Sequence, residues 1–179
     1  MKRETIRAVI GLLAVPALAL TLGTGHAQAG KYNEEVDKVE LVEPEEGKAL
    51  VYVVRPTKAA FSIYFWSFAD DQFLGLTRGK GYAYKQMDPG TYTVWTKAEN
   101  VAAIDVELEA GNTYYFRQKV LPGFGKARAR TELLDEKDGK KALERVKKLS
   151  RPTEKGLEKA RELAEKHLEL AREKAAKDD

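Results

Sequence analysis

The sequence contains no cysteine and only two histidines in 179 residues. The lack of cysteine excludes disulfides, thiol catalysis, cysteine-ligated zinc and a lipid-modified cysteine at the end of a signal peptide. His26 lies in the N-terminal leader, and His167 lies in a charged C-terminal stretch. A single histidine in the body of the chain makes neither a histidine-rich metal site nor a Ser-His-acid triad. We therefore predict no catalytic residues, no metal and no cofactor.

A strong excess of one charge is also missing. Lysine and arginine number 31 against 28 aspartates and glutamates, so the formal net charge is +3. Part of that excess lies in the leader, where Lys2, Arg3 and Arg7 outnumber Glu4. Because the remainder is nearly neutral, we expect no nucleic-acid-binding surface, which needs many cations to neutralise phosphates.

The N-terminus has the three parts of a secretory signal peptide. A basic start is followed by an apolar run over residues 8–22 and by small residues at Ala27 and Ala29. We predict that residues 1–29 are a signal cleaved between Ala29 and Gly30, and that the mature protein is periplasmic or extracellular. The apolar run is short for a membrane span, which needs about 20 residues, and an uncleaved anchor is the alternative.

Turn-forming clusters punctuate the middle of the chain at a regular interval. They recur about every 9 to 12 residues between residues 69 and 125, and the segments between them are rich in β-branched and aromatic residues. This spacing is typical of consecutive antiparallel strands. We predict a polar lead-in over residues 30–47, then a mainly β domain over 48–136. Its expected fold is an antiparallel β-sandwich of seven or eight strands with an immunoglobulin- or transthyretin-like outline.

Two adjacent carboxylates, Asp70 and Asp71, fall in one of these turns. Aspartate favours turns because its side chain bonds to nearby backbone. A glycosidase pair would face across a cleft about 5–10 Å wide, and a calcium loop would space its carboxylates along the chain. We interpret the pair as turn residues.

Two predicted strands do not alternate and therefore need cover on both faces. "ALVYVV" (49–54) is apolar throughout, and "FSIYFWSF" (61–68) is nearly so. Helical spacing from residue 137 predicts a packing helix over 137–150 that supplies such cover. A long charged helix is predicted over 153–179. Its apolar stripe is mostly alanine and buries little area, so we expect it to project, to dock loosely or to meet another helix.

The aromatic residues of 61–68 are the first candidate contact residues. Ile63 and Phe65 share one face, which we assign to the core, and the other face carries Tyr64, Trp66 and Phe68. If exposed, that second face forms an apolar patch suited to a sugar or a peptide. Alternatively, a C-terminal helix, such as the one around Leu143 and Val146, covers it.

Phe124 is the other candidate contact residue. It stands between glycines in "PGFG" (122–125), a loop with little secondary structure to bury it. It is either a contact residue or a plug at the end of the sandwich.

Several of these segments together resemble a family of small exported bacterial proteins that is classified as a domain of unknown function. They are "VYVVRP" (51–56), "PGTYTV" (89–94) and "GNTYYFR" (111–117), followed by an acidic segment that leads into a helix. The resemblance covers about residues 47–148 and implies an envelope β-sandwich with no catalytic residues to transfer. Many members end their signal in a lipid-modified cysteine, which this chain lacks.

The function that we predict is non-enzymatic. The protein is expected to be an exported envelope accessory or interaction module, with another envelope protein as its partner. Two alternatives remain open: a carbohydrate- or peptidoglycan-binding module that uses Tyr64, Trp66 and Phe124, and an uncharacterised hydrolase.

Overall fold

The computed structural model describes residues 28–38 and 41–178, so the predicted signal peptide lies almost wholly outside the described residues. Eleven strands and two helices are found in the described part of the chain. They are β1 (Gln28–Ala29), β2 (Asn33–Asp37), β3 (Ala49–Val54), β4 (Phe65–Ala69), β5 (Gln72–Thr77), β6 (Gly81–Met87), β7 (Gly90–Lys97), β8 (Val101–Leu108), β9 (Thr113–Leu121), β10 (Arg128–Leu134), α1 (Glu136–Arg145), β11 (Lys148–Pro152) and α2 (Glu154–Asp178).

The strands form two sheets, which confirms a mainly β, sandwich-like fold. The larger sheet has the order β1-β2-β11-β6-β3-β9-β10 and the smaller one β5-β4-β7-β8. Two details of the prediction are wrong. The strands number more than seven or eight, and two pairs are parallel: β3 with β9 and β11 with β6.

The extra strands come from segments without strand-like alternation. β2 lies inside the predicted polar lead-in, and β11 includes the last residues of the predicted helix over 137–150, which ends at Arg145. β11 inserts between β2 and β6, so pairing on both sides satisfies its backbone. Residues 148–150 are therefore a strand, because long-range backbone pairing outweighs the helical spacing of their sequence.

The core between the sheets contains both apolar and polar side chains. β3 is buried along its whole length and points Val51 and Val53 at the second sheet. Beside them lies a chain of neutral hydrogen bonds: Thr77 donates to Gln118, Gln118 Nε2 donates to Ser67 Oγ at 2.7 Å, and Ser67 Oγ lies 3.0 Å from Thr96 Oγ1. Because each of these buried groups has a partner, the network holds the sheets in register at small net cost.

Helix α1 covers the outer face of the larger sheet. Its Leu143 packs with Tyr52 of β3 and Tyr115 of β9, whose rings stack at 5.6 Å. Gly139 permits the close approach, because a Cβ there would lie 2.2 Å from Cγ of Tyr115. Asp135 caps the helix by accepting the Asp138 N–H at 2.8 Å.

Helix α2 covers the outer face of the smaller sheet. Its small side chains, including Ala160, Ala164 and Ala171, are buried against Phe68 and Trp95. The face of Trp66 and Phe68 is therefore covered by a C-terminal helix, as one of the two alternatives expected, but that helix is α2 and not the one around Leu143. An alanine stripe buries little area of its own, but it lets the helix backbone approach the large rings of the sheet and fill the space densely.

The segment before β3 ties α2 to the larger sheet. Asn33 of β2 is buried and donates to Ser150 Oγ of β11 at 2.9 Å. The backbone N–H of Thr153, just before α2, donates to the carbonyl of Tyr32. Tyr32 also places its ring edge-on at 5.4 Å from Trp66. These contacts fix where α2 begins, and so where its first turns lie relative to β4 and β7.

Candidate functional site

A groove of about 320 Å³ opens where the start of α2 meets the ends of β4 and β7. We call it the lysine groove, and its lining residues are Ser62, Ile63, Tyr64, Trp66, Lys97, Ala98, Lys126, Lys159 and Leu163. They come from four parts of the chain: the 56–64 loop with the start of β4, the end of β7, the β9–β10 connection and α2. Its volume lies within the range of ligand-binding cavities.

One wall of the lysine groove is the 56–64 loop, which Arg55 holds in place. The Arg55 side chain is fully buried and donates to the carbonyls of Ala59, Ala60 and Ile63 at 2.6–2.7 Å. Its guanidinium also lies 4.1 Å from the centre of the Phe65 ring, a cation–π contact. Burial lowers the pKa of Arg55 to about 10, and the cation is compensated by carbonyl dipoles and the ring.

Tyr64 and Trp66 form the aromatic floor of the groove. Trp66 is 7% exposed, and Tyr64 is partly buried with its ring centre 6.3 Å away. The Arg78 guanidinium lies 5.7 Å from the Tyr64 ring and pairs with Glu35 at 3.0 Å. The floor is therefore fixed by packing on several sides and offers edges of rings to a ligand.

The opposite walls carry three lysines that meet only in the folded chain. Lys97 is directly opposite Trp66 in the β4–β7 pair, and its Nζ donates to the carbonyls of Ala98 and Glu99 at 2.7 and 3.3 Å. Burial lowers the pKa of Lys97, and the neighbouring charges of Lys126 and Lys166 lower it further. The groove is thus a positively charged site with partly apolar walls.

Residues 122–126 of the β9–β10 connection border the groove and present Phe124; we call this segment the Phe124 loop. The carboxylate of Glu99 accepts the backbone N–H groups of Phe124, Gly125 and Lys126 at 2.9, 3.1 and 2.6 Å. These three hydrogen bonds lower the pKa of Glu99, and the bond from Phe124 has the largest effect. Gly123 is required here because a Cβ would lie 2.0 Å from the Lys126 carbonyl oxygen. The loop is held rigid while the Phe124 ring stays fully exposed.

The fold places the four aromatic candidates in different environments. Tyr64 and Trp66 line the lysine groove, and Phe124 is exposed two residues from Lys126. Phe68 was wrongly included: it is 0% exposed and stacks on Trp95 at 4.1 Å beneath α2. Neighbouring positions on one strand face lie at different depths because α2 covers Phe68 completely and leaves the end of the strand open.

Sequence reasoning missed the lysines and Arg55. Lys97, Lys126 and Lys159 are about 30 residues apart in sequence and belong to different elements, so no local pattern connects them. Arg55 did carry a signal, because a charged residue directly after an all-apolar strand is unusual. Asp70 and Asp71 lie in the β4–β5 turn. There the Asp70 carbonyl accepts the Trp95 indole N–H at 2.8 Å.

Residues 28–38 and 41–178 contain neither a cluster of metal ligands nor a membrane-spanning helix. No group of three or more histidine, cysteine, aspartate or glutamate side chains is placed to hold a metal ion. No helix in the same part of the chain combines the length and the apolar character needed to cross a bilayer.

Comparison with known proteins finds a family model that is similar to the middle of the chain. Residues 45–129 match the family model described as "Protein of unknown function (DUF2846)". This match confirms the expected resemblance to a bacterial domain-of-unknown-function family, and it covers β3 to the start of β10. The Phe124 loop and all of the lysine groove except its α2 wall lie within it.

A curated relative is an uncharacterized protein of Haemophilus influenzae. It is 26% identical over 104 residues, which cover 58% of this chain and 62% of the relative. The match thus spans somewhat less than two thirds of that protein's length. No solved structure matches the chain.

Proposed function

We propose that the protein is a non-enzymatic interaction module of the bacterial cell envelope, which binds a partner protein at the end of the sandwich that carries the Phe124 loop. The observation that supports this proposal most is the state of Phe124. Its ring is fully exposed on a loop whose backbone is fixed by a carboxylate. An exposed aromatic side chain has an unfavourable hydration free energy that contact with a partner removes.

Rigidity of the loop favours binding over mere exposure. A mobile loop loses conformational entropy when it binds, whereas the Glu99 bonds have already ordered this one. Phe61, on the neighbouring 56–64 loop, is also 68% exposed. Two exposed phenylalanines on loops that both border the lysine groove fit an interface with another protein, where aromatic anchors contribute most of the affinity.

A glycan-binding module is the second candidate, and Tyr64, Trp66 and Phe124 are the residues that it would use. Sugar binding by stacking needs an open ring face. Trp66 exposes only 7% of its surface and packs against Tyr32 and Phe73. Phe124 does have an open ring, but the three rings do not form one open stacking surface, which favours a protein partner.

The non-enzymatic and envelope parts of the proposal rest on the sequence. The chain has no cysteine, and its two histidines fall in the predicted leader and on α2. The basic, apolar and small-residue segments before Gly30 are those of an export signal.

Site-specific photo-crosslinking in the native host tests the partner. p-Benzoylphenylalanine replaces Phe124 in one strain and Leu133, an equally apolar exposed residue of β10, in the control strain. We expect a protease-sensitive adduct at position 124 and none at position 133. No adduct at 124, or equal adducts at both positions, would overturn the proposal. A protease-resistant adduct that a cell-wall hydrolase releases would replace it with the glycan candidate.

A further inference from the structure

The charges in and around the lysine groove are unbalanced. Lys97, Lys126 and Lys159 line it, and Lys166 and His167 of α2 lie close enough to affect the same charges. Repulsion from Lys97, Lys166 and Lys159 lowers the pKa of His167 beyond the effect of burial, which is the larger cause. A concentration of cations on this scale is notable in a chain whose total charge is only +3.

The carboxylates nearest to the groove are already engaged. Glu162 pairs with Lys159 at 2.6 Å, and both oxygens of Glu99 accept backbone N–H groups of the Phe124 loop. Among residues 28–38 and 41–178, no carboxylate lies within 4.0 Å of the ammonium group of Lys97 or Lys126. Lys97, which is partly buried, therefore has no direct ion pair and only the more distant attraction of Glu99. Lys126 is exposed and adds an unpaired charge at the edge of the groove.

Lys97 is also fixed in direction. The carbonyls of Ala98 and Glu99 accept two of its N–H donors, which leaves one donor of the ammonium for a ligand. Ile63, Trp66 and Leu163 supply apolar surface in the same groove. A ligand that fits both features carries an anionic group next to an apolar one.

We propose that the lysine groove binds an acidic peptide segment of the partner, with a carboxylate on Lys97 and Lys126 and an apolar side chain against Trp66 and Leu163. This inference rests on the proposed function, because it assumes a protein partner at the Phe124 end. Carboxylate is the anion that suits the site. Lysine is a compact point charge that binds carboxylate and phosphate alike. Carboxylate follows here from the protein partner, whose unmodified anionic side chains are those of aspartate and glutamate.

Fluorescence anisotropy with synthetic peptides tests the proposal on the purified protein. The probe is a labelled nonapeptide, Glu-Glu-Leu repeated three times, and its control has glutamine in place of glutamate. We expect the acidic peptide to bind at least about tenfold more tightly, since close charge pairs contribute this much or more. Addition of the peptide should also shift the indole N–H signal of Trp66 and leave that of buried Trp95 in place.

The decisive variant is the double substitution Lys97→Gln and Lys126→Gln. Its control, Lys155→Gln and Lys174→Gln, removes the same charge from exposed positions of α2 outside the groove. We expect affinity to fall about tenfold or more in the groove variant and less than twofold in the control. Equal losses in both variants would show general charge attraction and overturn the site, as would equal binding of the glutamine peptide.

Lys126→Gln alone guards against misfolding, because the Lys126 ammonium makes no hydrogen bond to any described residue. We expect this variant to lose part of the affinity with an unchanged thermal melt, and full affinity would count against the proposal. Oligogalacturonate serves as a competitor that carries carboxylates on a glycan. If it displaces the peptide at equal concentration, the peptide assignment is wrong. If the groove variant still forms the adduct at position 124 at full yield, this inference fails while the proposed function stands.

Discussion

The outer face of β4 and the Phe124 loop are both rich in apolar ring surface, yet the fold treats them in opposite ways. Phe68 has no exposed surface, and Phe124 has no buried surface. The difference lies in the backbone beneath each ring. Rings on a strand line up in a flat row that a helix can cover, whereas a ring on a tight loop has no neighbours in a row. Aromatic content alone therefore does not distinguish core from contact surface.

The largest expected loss of stability comes from truncating a side chain on the face of β4 that α2 covers. Phe68→Ala removes a ring packed between Trp95, Phe73 and α2, and truncation of a buried phenylalanine costs about 3–5 kcal/mol of unfolding free energy. Urea denaturation measures the loss. A change below about 1 kcal/mol would mean that α2 does not bury this face in solution.

A larger side chain in the alanine stripe of α2 tests how closely this helix packs against the sheet. Ala171→Leu places extra volume at a fully buried position and should destabilise the protein by about 1–3 kcal/mol, the usual cost of overpacking. Ala176→Leu is the matched control, because Ala176 is exposed on the same helix. Both variants are compared by thermal unfolding, and equal stabilities would contradict a tightly packed stripe.

The order of the Phe124 loop should depend on the charge of Glu99. Its pKa is lowered in the folded protein, from 4.5, by the bonds from Phe124, Gly125 and Lys126. The stabilisation is therefore complete above pH 4.5 and is lost as the pH falls through the lowered pKa. We expect the amide protons of residues 124–126 to lose protection from hydrogen exchange, relative to their intrinsic rates, in that acidic range. Glu99→Gln should show the same loss already at neutral pH, and unchanged protection would contradict the carboxylate's role.

The smallest effect on stability is expected at the exposed ring. Phe124→Ala removes no packing and should change the unfolding free energy by no more than about 0.5 kcal/mol, while it should abolish partner capture. Urea denaturation and affinity capture on the same preparations give both values. A large loss of stability would mean that Phe124 is a plug at the end of the sandwich, the alternative that its sequence left open.

Much of the sheet architecture was predictable because strand signals are local. The segments between turn clusters over residues 69–125 were predicted as strands, and β7 and β8 lie among them. The all-apolar run at 49–54 correctly required cover on both faces. The partners of these surfaces were not predictable in the same way. For the aromatic face of residues 61–68, the sequence favoured the helix over residues 137–150 as cover, because its side chains are larger than the alanines of the terminal helix. The structure instead matches small alanines to large rings on one side, and Leu143 to tyrosines on the other.

The candidate site was predicted only in part. Tyr64, Trp66 and Phe124 were found because aromatic clusters and glycine-flanked rings are visible in a single stretch. The lysines were not found, since Lys97, Lys126 and Lys159 look like ordinary surface residues in their own segments. Arg55 was visible as part of "VYVVRP", but its three carbonyl partners became apparent only in the folded loop.

The sequence by itself determined most of the local structure: the strands of the central β domain, the turns that interrupt them and the side chains that need to leave water. Its lack of cysteine also settled that no disulfide holds the fold. The tertiary structure alone decided which helix lies on which sheet and which distant charges share one groove. The physical reason is range: periodicity and propensity act over a few residues, whereas packing density and charge proximity depend on surfaces that the folded chain brings together.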